Sequence, residues 1–154
     1  MDEADFRLSL ERSIVRHSED CARRGIWTEA ASLQASRDES VELLPQGRET
    51  PDMHFAHVVD EKANVRVGET WYLAKERGGK TQFYVAWLWI DPEHRRKGYA
   101  SQLLQVLADE AVQSGADRME LAVVFDNPGA QALYAKMGFR TVSYRMMKPV
   151  ERGG

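Results

Sequence analysis

The polar and apolar positions divide the chain into three stretches with different periods. From about Asp5 to Leu44 apolar residues are sparse and recur at helical spacing, Leu8, Ile14 and Val15 among them, in a background of Glu, Arg, Ala and Ser without proline. Gly25 reads as a helix stop just past Arg24, and Thr28 as the N-cap of a second helix that ends near Leu44, ahead of Pro45. Residues 1–44 are therefore expected to form a helical hairpin with charged outer faces. The segment PQGRETPD, residues 45–52, carries two prolines and a glycine and reads as a loop.

The middle stretch changes period. Residues 54–59, His54 to Val59, form one strand-like run, followed by an acidic turn over 60–64 and a second run from Arg66 to Lys75. Gly78-Gly79 marks a hairpin, and Thr81 to Ile90 is the third run. Its segment FYVAWLWI is apolar throughout, which predicts a central strand covered on both faces. Beyond it the pattern alternates: a helix over about Tyr99–Gln113, a strand over Arg118–Phe125, a helix over about Pro128–Met137 closed by Gly138, and a strand over Phe139–Met147. An antiparallel meander followed by strand, helix, strand, helix and strand predicts a mixed α/β fold.

Composition narrows the class. The 154 residues suit one domain, 1–154, with a single core, its hairpin at 1–44 and its strand-rich part at 54–147. A single cysteine, Cys21, excludes an intramolecular disulfide and fits a reducing compartment, so a cytoplasmic protein is expected. No apolar run reaches the roughly 18 residues of a membrane span, and the acidic start MDEADF does not resemble a signal peptide. A net charge of −3 argues against nucleic-acid binding. The four histidines and one cysteine form no metal-ligand spacing.

Against that net charge, three cations stand in a row in HRRKGYASQLL, residues 94–104. Arg95, Arg96 and Lys97 fall between a buried strand and the start of a helix. Helix N-termini leave backbone N–H groups unpaired and carry partial positive charge. Gly98 lets backbone approach a ligand, and Ala100 and Ser101 keep the first turn uncrowded. The combination reads as a phosphate or pyrophosphate cradle, but not a P-loop, whose glycine and lysine spacing is absent.

Two longer blocks, LWIDPEHRRKGYASQLL and, some 20 residues on, NPGAQALYAKMGF, resemble the GNAT superfamily of acyl-CoA-dependent N-acetyltransferases. Leu88, Ile90, Pro92, Arg95, Gly98 and Ala100 match the first block's pattern; Asn127, Ala130, Leu133, Tyr134, Gly138 and Phe139 match the second. The resemblance covers about residues 54–147. It implies a central, mostly antiparallel sheet whose middle strands splay apart, with flanking helices, and acetyl-CoA as cosubstrate. The pyrophosphate would sit on the loop Arg95, Arg96, Lys97, Gly98, Tyr99, Ala100 and Ser101. The pantetheine arm would lie along Leu88 and Ile90, with Asn127 touching it and Tyr134 pointing toward the thioester sulfur.

The implied reaction moves an acetyl group to a primary amine by direct attack in a ternary complex. A backbone N–H near Leu88 would hold the developing oxyanion, and Tyr134 would protonate the departing thiolate. Where many relatives carry a strand carboxylate, this chain has Trp87 and Trp89, so no general base is assigned; Asp91, Glu93, His94, His54, His57 and Glu69 lie on adjacent segments. By period-2 alternation Trp87 and Trp89 share a face, opposite Leu88 and Ile90, where they either line an aromatic acceptor site or pack under the helices. The N-terminus leads almost directly into a helix, so the family's first strand is expected to be missing. A bare sheet edge invites pairing with another chain, which makes a homodimer an expectation. Loss of the strand carboxylates keeps open the alternative of a non-catalytic acyl-CoA-binding module.

Overall fold

The computed structural model describes residues 1–152. Helix α1 (Glu3–Arg23) begins at an Asp2 N-cap whose side chain accepts from the Asp5 amide, and α2 (Glu29–Leu43) begins at the expected Thr28 cap. The hairpin forms as expected, but Leu8 and Val15 lie exposed, and the buried stripe of α1 is Phe6, Ser9, Ile14, Ser18 and Cys21. Small buried residues, Ser32 and Ser36 on α2 among them, let the helices approach closely, and Ser36 Oγ donates to the Ile14 carbonyl at 2.8 Å. Serines do not register as apolar periodicity, so of the three side chains the sequence pattern named only Ile14 faces inward.

Strands β1 (Met53–Asp60), β2 (Val65–Arg77) and β3 (Lys80–Ile90) form the antiparallel meander. Helix α3 (Tyr99–Gln113) follows with its predicted bounds, then the short strand β4 (Met119–Leu121) and α4 (Pro128–Lys136). The sheet order is β1-β2-β3-β4, with β3 and β4 parallel. Two sequence expectations are corrected. The strand expected over 118–125 pairs only at Met119–Leu121, because β4 diverges from β3 beyond Val85. The strand expected over 139–147 does not form: the segment after Gly138 joins no sheet and is largely exposed. The first strand of the sheet is β1, which with β4 forms its edges.

The sheet carries a core on each face. One face of β3 buries Phe83, Val85 and Ile90 against Leu103, Leu107 and Ala111 of α3. On the other, Trp71 packs with Phe6 of α1 and Leu44, with Ala86 and Trp87 alongside. A bulge governs which residue faces which core. Trp71 pairs with Trp87 but Tyr72 pairs with Val85, so Ala86 is an extra residue in β3. It reverses the alternation, placing Val85 and Leu88 on one face and Ala86 and Trp87 on the other. Pairing with β4 ends at Val85, beside this bulge, and Ala86–Ile90 has no strand on that side among the described residues. The central strand is thus open along half its length, the splay expected from the resemblance. No helix among the described residues is long and apolar enough to cross a membrane.

Candidate active site

The open half of β3 runs directly toward the basic loop. Ile90 is followed by a 3-10 turn (Pro92–His94), and Gly98, at φ +83°, is the N-cap of α3. A Cβ at Gly98 would meet only Gln102 Nε2 at 3.9 Å, so the left-handed backbone, not crowding, is what calls for glycine. Arg96 also has positive φ, at 61°. Among the described residues the amides of Arg96, Lys97, Gly98, Tyr99, Ala100 and Ser101 have no backbone acceptor; Gln102 is the first of the helix to donate back, to Gly98. Six successive unpaired N–H groups at a helix N-terminus form a concave donor surface for an anion.

The side chains of this loop divide their tasks. Arg95 does not extend toward the cradle: its Nε donates to the Ile90 carbonyl at 2.8 Å, and its guanidinium lies 4.6 Å from the Trp89 ring centroid. It fastens the loop to the end of β3. Tyr99 donates its hydroxyl to Asp60 at 2.7 Å, tying α3 to the end of β1. That bond holds the Asp60 carboxyl below the usual range and raises the Tyr99 phenol. Arg96 and Lys97 are exposed. The expected contribution of Tyr99 therefore reduces to its backbone amide, Arg95 offers the cradle none because its own amide donates to the Pro92 carbonyl, and the exposed charge is left to Arg96 and Lys97.

Trp87 and Trp89 do share a face. Their rings stack with centroids 5.7 Å apart and 5° between planes. Leu88 and Ile90 pack on the α3 face instead. Two cations lie over the Trp89 ring, Arg95 and Arg12, the latter at 5.5 Å from its centroid. Its Nε1 donates to Asp91 at 3.1 Å. A groove of about 330 Å3 opens here between α1 and Trp89, lined also by Glu11, Arg12, Val15, Arg16 and Glu19.

Beneath that groove lies a polar group whose importance the sequence reading missed. Glu69, on β2, is 1% exposed. Its Oε1 accepts from Ser9 Oγ at 2.8 Å and Trp87 Nε1 at 3.0 Å, and ion-pairs with Arg12 at 2.8 Å. Trp71 Nε1 in turn donates to Ser9. Arg66 Nη2 lies 3.6 Å from Oε2, which has no hydrogen-bond donor among the described residues. The signal was available: a lone carboxylate in the buried run Val67–Trp71, with Ser9 and Arg12 one turn apart on α1. The other candidates are engaged elsewhere. His57 bonds Asp5 at 3.0 Å, His54 stacks on Tyr72, and His94 stands edge-on to Tyr99.

Across the splay, α4 carries the remaining residues. Asn127, expected to touch the pantetheine, caps that helix, its Oδ1 accepting from the Ala130 amide at 3.1 Å. Tyr134, two turns on, packs edge-on against Phe139, centroids 5.7 Å apart. Its hydroxyl makes no protein hydrogen bond among the described residues, and burial pushes its phenol above the ordinary value. An ion pair from Arg23 to Asp126 joins the end of α1 to the loop before α4.

Comparison with known proteins bears on the family and the fold. The sequence profile described as "Acetyltransferase (GNAT) family" matches residues 15–139. The chain is 27% identical over 148 residues to the uncharacterized N-acetyltransferase YdgE of Bacillus subtilis, spanning 96% of this chain and 94% of that protein. A 66-residue stretch is 38% identical to a mycothiol acetyltransferase of Clavibacter sepedonicus, covering 43% of this chain and 21% of that protein. The crystal structure of the putative acetyltransferase YycN from Bacillus subtilis superposes with a TM-score of 0.90 at 26% identity, over 99% of this chain and 96% of that one.

Proposed function

Since the chain belongs to the acetyltransferase (GNAT) family, we propose that it transfers an acetyl group from acetyl-CoA to a primary amine that enters through the groove between α1 and Trp89. The observation that carries this reading is the continuity of open β3, from Ala86 to Ile90, with the six unpaired amides of the Arg96–Ser101 loop. Together they fit an extended, amide-bearing arm ending in a pyrophosphate. The arm would add as a strand to the free edge of β3, and the anion would rest on the N-terminus of α3. Arg96 and Lys97 supply the nearby positive charge.

The residues then divide the chemistry between two walls. On one side, Trp89 and the Arg12, Arg16, Glu11 and Glu19 side chains border the acceptor. Glu69 fixes this wall by holding Trp87, Ser9 and Arg12 together. On the other side, Tyr134 offers a free hydroxyl. A phenol with a raised pKa stays protonated across neutral pH, which is the form needed to donate to a departing thiolate. An amide N–H of the unpaired part of β3 near Leu88 would stabilise the oxyanion. The amine would attack directly, and its proton would leave through water in the exposed groove.

The test is release of CoA thiol from acetyl-CoA against a panel of amines, with Tyr134→Phe beside the wild type. General-acid assistance contributes on the order of 10²–10⁴ in rate, so the variant should lose at least ~100-fold in kcat. Acceptor KM should be nearly unchanged. Acetyl-CoA binding in calorimetry without turnover on any amine would instead favour a binding module.

A further inference from the structure

The groove between α1 and Trp89 holds more positive charge than its own carboxylates engage. Arg12 and Arg16 both line it, one helical turn apart on α1, so their guanidiniums project over the same strip. Neither is saturated. Arg12 meets Glu69 through Nη1, at 2.8 Å but off the N–H direction, and keeps a third of its side chain in water. Arg16 is 47% exposed, and Asp20, its one ion-pair partner among the described residues, lies 3.8 Å away and is closer to Arg23, at 2.7 Å. Of the carboxylates in the groove, Glu11 is already held by both terminal nitrogens of Arg37. Glu19, on the turn beyond Val15, has no cation partner among the described residues. Trp89 does not call for a cation from outside, since Arg12 and Arg95 already lie over its ring. The spare hydrogen-bonding capacity of the groove is therefore mostly that of positively charged donors.

We infer that the acceptor amine carries a carboxylate of its own, which Arg12 and Arg16 bind while its apolar body rests on Val15 and Trp89. The inference names the substrate class of the acceptor site and rests on the acetyl-transfer reading of that site. Planar guanidiniums meet a carboxylate through paired N–H···O bonds, and two of them one turn apart can share its two oxygens. Like charges at that spacing repel, and an anion between them relieves the repulsion. Val15, 42% exposed, gives the groove an aliphatic surface beside the indole. A cavity of about 330 Å3 stands at the small end of the roughly 300–1,000 Å3 of ligand sites, which suits a molecule of amino-acid size. Glu19 limits the charge of that molecule, because a second carboxylate would meet it. The acceptor class is thus an amino acid with one carboxylate and an apolar side chain. Arg16 is the residue that sets this specificity, since its own ion pair is loose whereas Arg12 is shared with Glu69.

The test compares matched acceptors on the wild type, Arg16→Gln and Arg16→Lys: leucine, leucinamide and 3-methylbutylamine, then phenylalanine, phenylalaninamide and phenethylamine. In the wild type, kcat/KM for each amino acid should exceed that for its amide about tenfold, the weight of a charge-assisted pair in an open groove. The amine of the amide is the less protonated of the two at neutral pH, so reactivity alone gives the opposite order. Arg16→Gln should bring the ratio close to one, and Arg16→Lys should restore part of it. Calorimetry with N-acetylleucine against N-acetylleucinamide, in the presence of CoA, reads the same preference without turnover. Amides or plain amines acetylated as fast as the acids would overturn the inference and leave the acetyl-transfer reading standing. An acid preference unchanged in Arg16→Gln, or an aminoalkyl phosphate that outruns every amino acid, would overturn it too. No turnover on any acceptor, with N-acetylleucine still bound through Arg16, would uphold the carboxylate site and count against acetyl transfer. Neither turnover nor a binding preference would overturn the inference as well.

Discussion

On the β1–β2–β3 side, one carboxylate gathers four other side chains from three elements, whereas on the β4 side a nine-residue helix fully buries none of its residues. Glu69 is enclosed with Ser9, Arg12, Trp87 and Arg66 around it, under a cluster of Phe6, Leu44 and Trp71. Across the splay, Tyr134 has Phe139 for company and the segment that follows points into solvent. The difference teaches how the two walls of one cleft come to be positioned. The acceptor wall is built from within the chain, by a buried polar network centred on Glu69 Oε1 under an aromatic layer. The wall that carries the phenol draws little support from its own chain.

The sharpest way to break the comparison is Glu69→Ala. Removing one partner of a buried ion pair costs about 3–5 kcal/mol, and the lower end applies because Arg12 keeps a third of its side chain in water. Urea unfolding should lose about 3 kcal/mol, and indole fluorescence should report disorder of Trp87. A loss below ~1 kcal/mol would mean that the two walls do not differ as described.

Gly98→Ala probes the cradle between them. Holding an alanine at φ +83° costs about 1–2 kcal/mol. The loop should relax out of that conformation, raising KM for acetyl-CoA several-fold while kcat for bound substrate changes little. On the opposite wall, Leu133→Ala, at a half-buried position of α4, should cost only about 1 kcal/mol of stability. A cost above ~3 kcal/mol would show α4 to be as firmly held as β2.

Two smaller effects concern tyrosines. Tyr99→Phe removes the tie to Asp60, and should raise KM for acetyl-CoA about 2- to 3-fold, by roughly the low end of one hydrogen bond's net weight. Burial raises the Tyr72, Tyr84 and Tyr134 phenols in the folded state. Stability from a raised phenol is complete below the unfolded value near 10 and is lost as pH climbs through the folded value. Alkaline titration followed by circular dichroism should therefore show unfolding beginning above about pH 10. Y134F should soften that onset slightly.

The helices and the three strands of the meander were legible in the sequence to within a few residues, and the strands expected over 118–125 and 139–147 were not. Thr28, Gly25, Gly78-Gly79 and Gly98 punctuate the chain locally, and local backbone chemistry needs no partner to act. The basic loop and the Asn127–Phe139 block were legible for the same reason, because a helix N-terminus makes its own donor surface. Three things were not. The bulge at Ala86 depends on how β3 meets β2, and it decides which of two adjacent residues, Val85 or Ala86, faces α3. The Glu69 network joins residues about 60 positions apart, a proximity that no periodicity encodes. The pattern at 139–147 has the period of a strand, but period fixes only which side chains share a face. Whether a strand finds an edge is decided by where the edges are, and the edges here are β1 and β4.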